Sequence, residues 1–277
     1  MDDAKEETMD DDLGKKLDQW LRGEGYPFEM RVAQTFSRAG FNVTQSDYYT
    51  DPETHKPREI DLVATTAGKS ANKVIFRIVF PIECKTTKDK PWVLFCPPDM
   101  RMAPPFRVAQ RITNDLGTVV SQHLASDENV QKLNIFGFRD SAGYSLMQGF
   151  KNTGGAQDHA YLAICSVANA ASAMAIRWKD HPNKNRIVEF IFPVIVIDRR
   201  LFRCGLQPIS EDIAVTEIQS GTLLWRNAPS PYSAIIIDIQ TASSIEEFAR
   251  QAFQDAHKLV TEYIDDVYKL LKLNRLK

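Results

Sequence analysis

Asp61, Glu83 and Lys85 are the residues whose types and spacing could do chemistry together. Hydrolysis of a phosphodiester needs a divalent cation to polarise the phosphate and lower the pKa of an attacking water, so hard carboxylate oxygens must converge on one point. Asp61 lies in the run EIDLVATT, and Glu83 and Lys85 lie in VIFRIVFPIECK; the two runs read as neighbouring strands. Adjacent strands lie about 4.8 Å apart, so same-face carboxylates can share one Mg²⁺ at roughly 2.1 Å per ligand. Lys85 shares the face of Glu83, and its ammonium can contact the water or the phosphate, or accept a proton if its pKa is depressed. The main-chain carbonyl of Cys84 supplies a third protein ligand in this reading. The competing reading makes Glu83 and Lys85 a solvated strand face with an ion pair contributing at most about 1 kcal/mol. It does not explain why polar residues interrupt two otherwise apolar strands on the same side.

The elements that must position these residues follow from periodicity. In EIDLVATT, alternation puts Glu59, Asp61 and Val63 on one face and Ile60, Leu62 and Ala64 on the other. In the next strand Ile78, Phe80, Ile82 and Cys84 share a face, Glu83 and Lys85 project from the other, AGKSANK is the hairpin loop, and Pro81 implies a bend or bulge. Upstream, PFEMRVAQTFSRAGF predicts a helix that buries Phe28, Val32, Phe36 and Ala39, starts at Pro27 and closes at Gly40. Between helix and strand, Phe41 to Thr44 reads as a short strand or turn and SDYYTDPETHKPR as a polar loop.

Downstream, WVLF reads as a strand, FRVAQRITNDLGTVVSQHL as helical, and HAYLAICSVANAASAMAIRW as an alanine-rich buried helix. RIVEFIFPVIVID reads as a core strand and PYSAIIIDIQ as another. The end of the chain reads as one long amphipathic helix from a Ser244/Glu247 capping box, with a stripe of Ile245, Phe248, Ala252, Phe253, Ala256, Leu259, Val260 and Tyr263 that packs on its own sheet or on another subunit. The pattern is an α/β three-layer arrangement around a mixed sheet.

Composition, 43% hydrophobic and 25% charged over 277 residues, excludes disorder as the default. Residues 1–15 read as an acidic disordered tail and 16–277 as one domain. The first twelve residues hold seven of the acidic side chains and one lysine, so the formal net charge of -2 becomes +4 for the remainder, which permits a phosphate-binding patch without demanding one. No stretch reads as the roughly 18 apolar residues that span a bilayer, and the acidic start is unlike a signal peptide, so a cytoplasmic protein without membrane contact is expected. Cys84, Cys96, Cys165 and Cys204 have no zinc-ligand spacing and read as reduced thiols.

Asp61, 21 intervening residues, and then Glu83-Cys84-Lys85 resembles the D-xn-E-x-K core of the PD-(D/E)xK restriction-endonuclease-like superfamily. GYPFEMRVAQTFSRAGFNV resembles the first helix of the Mrr-like and archaeal Holliday-junction-resolvase-like branch, in which a glutamate approaches the metal site; Glu29 stands at that position. Glu59-Ile60-Asp61 is similar to the E-I-D form of the motif in that branch. The resemblance covers about residues 24–95, leaving about 100–277 as a C-terminal elaboration. It implies a restriction-endonuclease-like fold and a Mg²⁺-dependent endonuclease, with Mn²⁺ able to substitute, acting on DNA in a restriction or phage-defence context. It assigns Asp61, Glu83, Lys85 and Glu29 as catalytic, and Asp61, Glu83, Glu29 and the Cys84 carbonyl as metal ligands. A homodimer or a partner protein that directs cleavage is expected with it. The alternatives are an inactive nucleic-acid-binding or assembly module, or a nuclease acting on RNA or branched DNA.

Other polar and aromatic residues have plainer readings. Glu59 reads as a neighbour of the site or a solvated strand end, Lys88 and Lys90 as phosphate contacts or a solvated turn, and Trp92 and Phe95 as core in preference to base-stacking platforms. His123, His159 and His257 read as structural, and NTGGAQD as a flexible connection. Some branches of the superfamily carry a glutamine on a helix after the Glu-x-Lys strand, but spacing singles out none of Gln110, Gln122 or Gln157.

Overall fold

The computed structural model describes residues 12–21, 24–86, 90–98, 102–137, 142–150, 158–207, 212–226 and 234–274. In chain order the elements are α1 (12–21), α2 (Tyr26–Ala39), β1 (Asn42–Thr50), β2 (Pro57–Lys69), β3 (Ile75–Lys85), β4 (Trp92–Phe95), α3 (Pro104–Ala109), β5 (Ile112–Thr113), α4 (Asp115–Leu124), α5 (Glu128–Gln131) and β6 (Ser145–Gln148). They continue with α6 (His159–Ile176), β7 (Ile187–Ile191), β8 (Val194–Ile197), β9 (Leu201–Leu206), β10 (Ile213–Ile218), β11 (Ser220–Trp225), β12 (Ile235–Thr241), α7 (Ile245–Glu262) and α8 (Ile264–Asn274).

The main sheet is mixed. β1, β2 and β3 form an antiparallel meander, β8 and β12 continue the sheet parallel to β3, and β11 closes it antiparallel. One face is covered by α2, α4, α7 and α8 around Phe36, Phe80, Phe190 and Phe192. The other carries α6 and a four-stranded sheet in the order β10-β9-β4-β6, around Trp92, Leu94, Ile164 and Ile195. The chain is therefore α/β, with a mixed sheet flanked by helices as its periodicity requires.

The helix before the meander forms as its residues dictate. α2 buries Phe28, Val32 and Phe36, and Gly40 ends it at φ 115°, a left-handed conformation open to a residue without Cβ.

Several elements depart from expectation for local reasons. Residues 12–15, assigned to the acidic tail, are the first turn of α1, where Leu13, Leu17 and Trp20 recur at helical spacing and Lys16 pairs with Asp12 at 2.6 Å; residues 1–11 lie outside the described ones. The expected polar loop after Thr44 is mostly β1 and β2, joined by a short turn in which Asp51 accepts the Glu53 and Thr54 N–H groups at 3.0 and 2.8 Å. FRVAQRITNDLGTVVSQHL is not one helix: Asn114 caps α4 by accepting the Gly117 N–H at 3.0 Å, and Ile112 and Thr113 pair with β7.

Pro193 splits RIVEFIFPVIVID into β7 and β8. Pro81 produces no bulge, since its register with Val63 is unbroken, and it sits beside the Phe192–Pro193 interruption. The C-terminal helix breaks at Tyr263, and no capping box forms. The Ser244 hydroxyl accepts the Thr241 N–H at 3.1 Å and donates to the Gln219 carbonyl at 2.7 Å, while Glu247 binds Arg250. α7 packs its apolar stripe on β2 and α2 of its own chain.

One stretch does reach the length and apolar character of a bilayer span, contrary to expectation: the 18 residues of α6. Half of that window is buried inside the fold, and Ala160, Ala163, Ile164, Val167, Ala170 and Ala171 pack against the main sheet, which is what a core helix does. All four cysteines are free thiols.

Candidate active site

The β2–β3 ladder ends at Leu62↔Ile82, one step before Asp61 would face Glu83. On its other edge β2 loses a pairing at the same place, because Ser46 of β1, opposite Asp61, adopts φ 52°. The strand turns there. Ile60 packs in the α6-side core with Val63 instead of with Leu62 and Ala64, so the expected alternation fails at Asp61. The freed Asp61 carboxylate takes the place of the next ladder carbonyl and accepts the Cys84 N–H through Oδ2 at 2.7 Å.

Glu83 and Lys85 leave the same face of β3, as predicted. Glu83 is buried, and its Oε1 is paired with the Lys85 ammonium. Its Oε2 accepts the Ser166 hydroxyl of α6 at 2.7 Å. The Ser166 carbonyl in turn accepts the Tyr49 hydroxyl of β1 at 3.2 Å, and Asn169, one turn on, donates to Asp51 at 3.2 Å. α6 is thus fastened to β3, to β1 and to the β1–β2 turn by polar side chains on one face. Neither Ser166 nor Tyr49 was expected from sequence, although Ser166, Asn169 and Ser172 form a polar stripe at i, i+3 spacing on an otherwise apolar helix.

Electrostatics tie four charged groups together. Burial pushes the Glu29 carboxyl up to about 7, with a further increment from Asp61, an opposing effect of Lys85, and lesser increments from Glu83 and Glu59. Burial also raises Asp61, against Lys85 and the Cys84 N–H, and raises Glu83, against Lys85. Burial alone would lower Lys85, but Glu83 and Asp61 more than offset it, so its pKa is raised and it remains an ammonium. The depressed pKa on which a proton-accepting Lys85 depends is thus not found in this setting. Tyr49 is raised to about 12, chiefly by burial. Glu59 is at the rim, exposed, accepting the Tyr48 hydroxyl at 3.3 Å.

Glu29, Asp61, Glu83 and Lys85 are thus within each other's field at one end of β2 and β3. Carboxylates raised by burial and mutual repulsion are what a hard cation would relieve, so the donor chemistry fits Mg²⁺. Among the described residues, no three His, Cys, Asp or Glu side chains converge closely enough to hold a metal ion by themselves. Gln157, Lys88 and most of NTGGAQD lie outside the described residues. Trp92 is fully buried, as expected of core, whereas Phe95 is half-buried on the outer face of β4. No family model, curated protein or solved structure matches the chain.

Two expected results follow. Because the folded state holds the Glu29 proton up to about 7, against an ordinary 4.5, its contribution to stability is full below about 4.5 and is lost as pH rises through about 7. Without divalent cation, the melting temperature of Glu29→Gln minus that of wild type should therefore grow from pH 5 to pH 8. A difference that stays flat would remove Glu29 from the cluster. Ser166→Ala should slow any reaction at this site by about tenfold, the order of one hydrogen bond to a charged group, with recovery in Ser166→Thr; equal rates in all three proteins would show that the hydroxyl does not position Glu83.

Proposed function

We propose that this chain is a Mg²⁺-dependent endonuclease of the PD-(D/E)xK restriction-endonuclease-like class, Mrr-like or resolvase-like in its branch, that hydrolyses DNA phosphodiester bonds. The observation that carries the reading is the Asp61 carboxylate seated on the Cys84 N–H beside Glu83 and Lys85, with Glu29 of the preceding helix in their field. A mixed sheet flanked by helices, with β3 between antiparallel β2 and parallel β8, supports the reading at the level of an α/β three-layer architecture.

Asp61, Glu83, Glu29 and the main-chain carbonyl of Cys84 are the groups that would hold the cation. Bound there, Mg²⁺ supplies Lewis-acid polarisation of the phosphate and a lowered pKa for its water. The chain's own residues do the rest. The Lys85 ammonium, held by Glu83, stabilises negative charge on the phosphate and orients the attacking water. Glu29, raised by burial when no cation faces it, would be held ionised by the cation and help to fix it beside the attacking water. Ser166 fixes the rotamer of Glu83. Cutting both strands of a duplex needs two such sites, so a homodimer or a guiding partner accompanies the proposal, and restriction or phage defence is the context it fits.

A second reading, an inactive nucleic-acid-binding module, is favoured by one observation: Glu83 is engaged by Lys85 and Ser166 and Asp61 by the Cys84 N–H, with no three-ligand cluster among the described residues. A panel of duplex DNA, single-stranded DNA, branched DNA and RNA, each incubated with Mg²⁺ or Mn²⁺, separates the readings. Cleavage of duplex or branched DNA supports the endonuclease. Binding without cleavage in either metal supports the module, and cleavage of RNA alone reassigns the substrate.

A further inference from the structure

A cavity of about 1020 Å³ opens at the C-terminal ends of β3, β8 and β12, on the α6 side of the main sheet. It begins one hydrogen bond from the candidate active site. The N–H of Asp198, which lines it, donates to the Lys85 carbonyl at 3.2 Å, and the N–H of Ala242, also in its wall, donates to the Ile197 carbonyl at 2.8 Å. The lining is unlike a core. Phe95, Phe150 and Phe202 present rings to it, and Lys90, Arg199 and Arg200 present cations. Phe150 is 79% exposed, a large apolar surface to leave in water. The Arg200 guanidinium lies 5.0 Å from the centre of the Phe202 ring and is held by Glu217, at 2.8 Å from its Nε. Arg199 pairs in turn with Asp198 at 3.6 Å, so the wall holds one cation more than it has carboxylates.

We propose that this cavity receives an unpaired nucleotide of the nucleic acid, next to the phosphodiester presented to Asp61, Glu83 and Lys85. Flat apolar rings beside a guanidinium plane are the surfaces on which a base stacks irrespective of its identity, and the surplus of positive charge suits the backbone phosphate. The volume exceeds what a single nucleotide needs, being at the upper end for ligand pockets. A paired base cannot reach such a recess without leaving its stack, so the cavity selects single-stranded, frayed or mismatched sites. This inference rests on the nuclease reading for the site that it adjoins.

The test is binding in EDTA, where cleavage cannot contribute. Single-stranded and fully paired oligonucleotides carrying 2-aminopurine are titrated with the full chain, and anisotropy and 2-aminopurine fluorescence are read together. The single strand should bind at least tenfold more tightly than the duplex, with a change in 2-aminopurine emission. Phe150→Ala, at an exposed position that the fold does not use, and Phe202→Ala should each weaken it by about tenfold, and Phe202→Tyr should restore binding. Equal affinity for duplex and single strand, or insensitivity to Phe150→Ala in a folded protein, overturns the proposal. So does self-association that Phe150→Ala abolishes while oligonucleotide binding is unchanged, which gives the cavity to a second copy of the chain. Cavity-dependent binding with no cleavage in Mg²⁺ would sink the endonuclease reading and leave the nucleotide site standing.

Discussion

Lys85→Met is expected to reduce cleavage by about 10³-fold while leaving the protein folded, because it removes the cation that faces the reacting phosphate and keeps the volume of the side chain. The same substitution strips Glu83 and Asp61 of their nearest positive charge. Both carboxyls are already raised by burial, and the loss of Lys85 raises them further. Acids whose folded pKa is raised stabilise the fold at low pH and withdraw that stability as pH rises through the folded value. Lys85→Met should therefore melt nearer to wild type at pH 5 than at pH 8. Rates measured over single turnovers, with melting curves at both pH values, check the two halves of this expectation. A variant that still cuts within tenfold of wild type would remove Lys85 from the chemistry.

The largest expected effect on stability lies at the other end of β3. Glu189 of β7 is fully buried in register with Arg77 of β3. Its Oε1 is 3.1 Å from the Arg77 Nε, and its Oε2 accepts from the Arg177 Nε at 3.2 Å and from the Trp178 indole at 2.8 Å. Glu189→Leu leaves two guanidinium groups facing each other with no anion between them. Breaking a buried pair from one side costs roughly 3 to 5 kcal/mol. Both arginines keep about a quarter to a third of their side-chain surface in water and can turn outward, so the lower figure is the expected one. About 3 kcal/mol corresponds to a fall in melting temperature of roughly 10 °C. Denaturant unfolding of Glu189→Leu and of Glu189→Gln measures it, and a loss under about 1 kcal/mol in both would show that the arginines, not the carboxylate, hold this corner.

The sequence was most legible where period and parity suffice. Glu83 and Lys85 share a face because β3 alternates without interruption, and α2 is bounded by Pro27 and Gly40 as their chemistry requires. It was less legible where the tertiary structure intervenes. Ile60 left the face assigned to it because Ser46, a residue on another strand, takes a positive φ opposite Asp61. Ser166 went unnoticed because it stands 83 positions from its carboxylate, and one serine in an alanine-rich helix carries no spacing signal towards a distant strand. The capping box at Ser244 was outcompeted by Gln219 and Thr241, groups that folding brings to the same hydroxyl. Phe95 reads as core in a WVLF run because a strand's pattern does not say whether a sheet's second face is covered, and that of β4 opens on a cavity.

The most direct test of the account is conversion of supercoiled plasmid DNA by the wild-type chain in Mg²⁺, with EDTA, Glu83→Gln and Asp61→Asn in parallel. Glu83→Gln keeps the size of the side chain and an acceptor for Ser166 while losing the charge that pairs with Lys85, so its effect reports on electrostatics rather than packing. Nicked and linear products from wild type with Mg²⁺, and none with EDTA or either variant, are the predicted result. Cleavage that persists in both variants, or a folded wild type that leaves the plasmid intact in Mg²⁺ and in Mn²⁺, contradicts it.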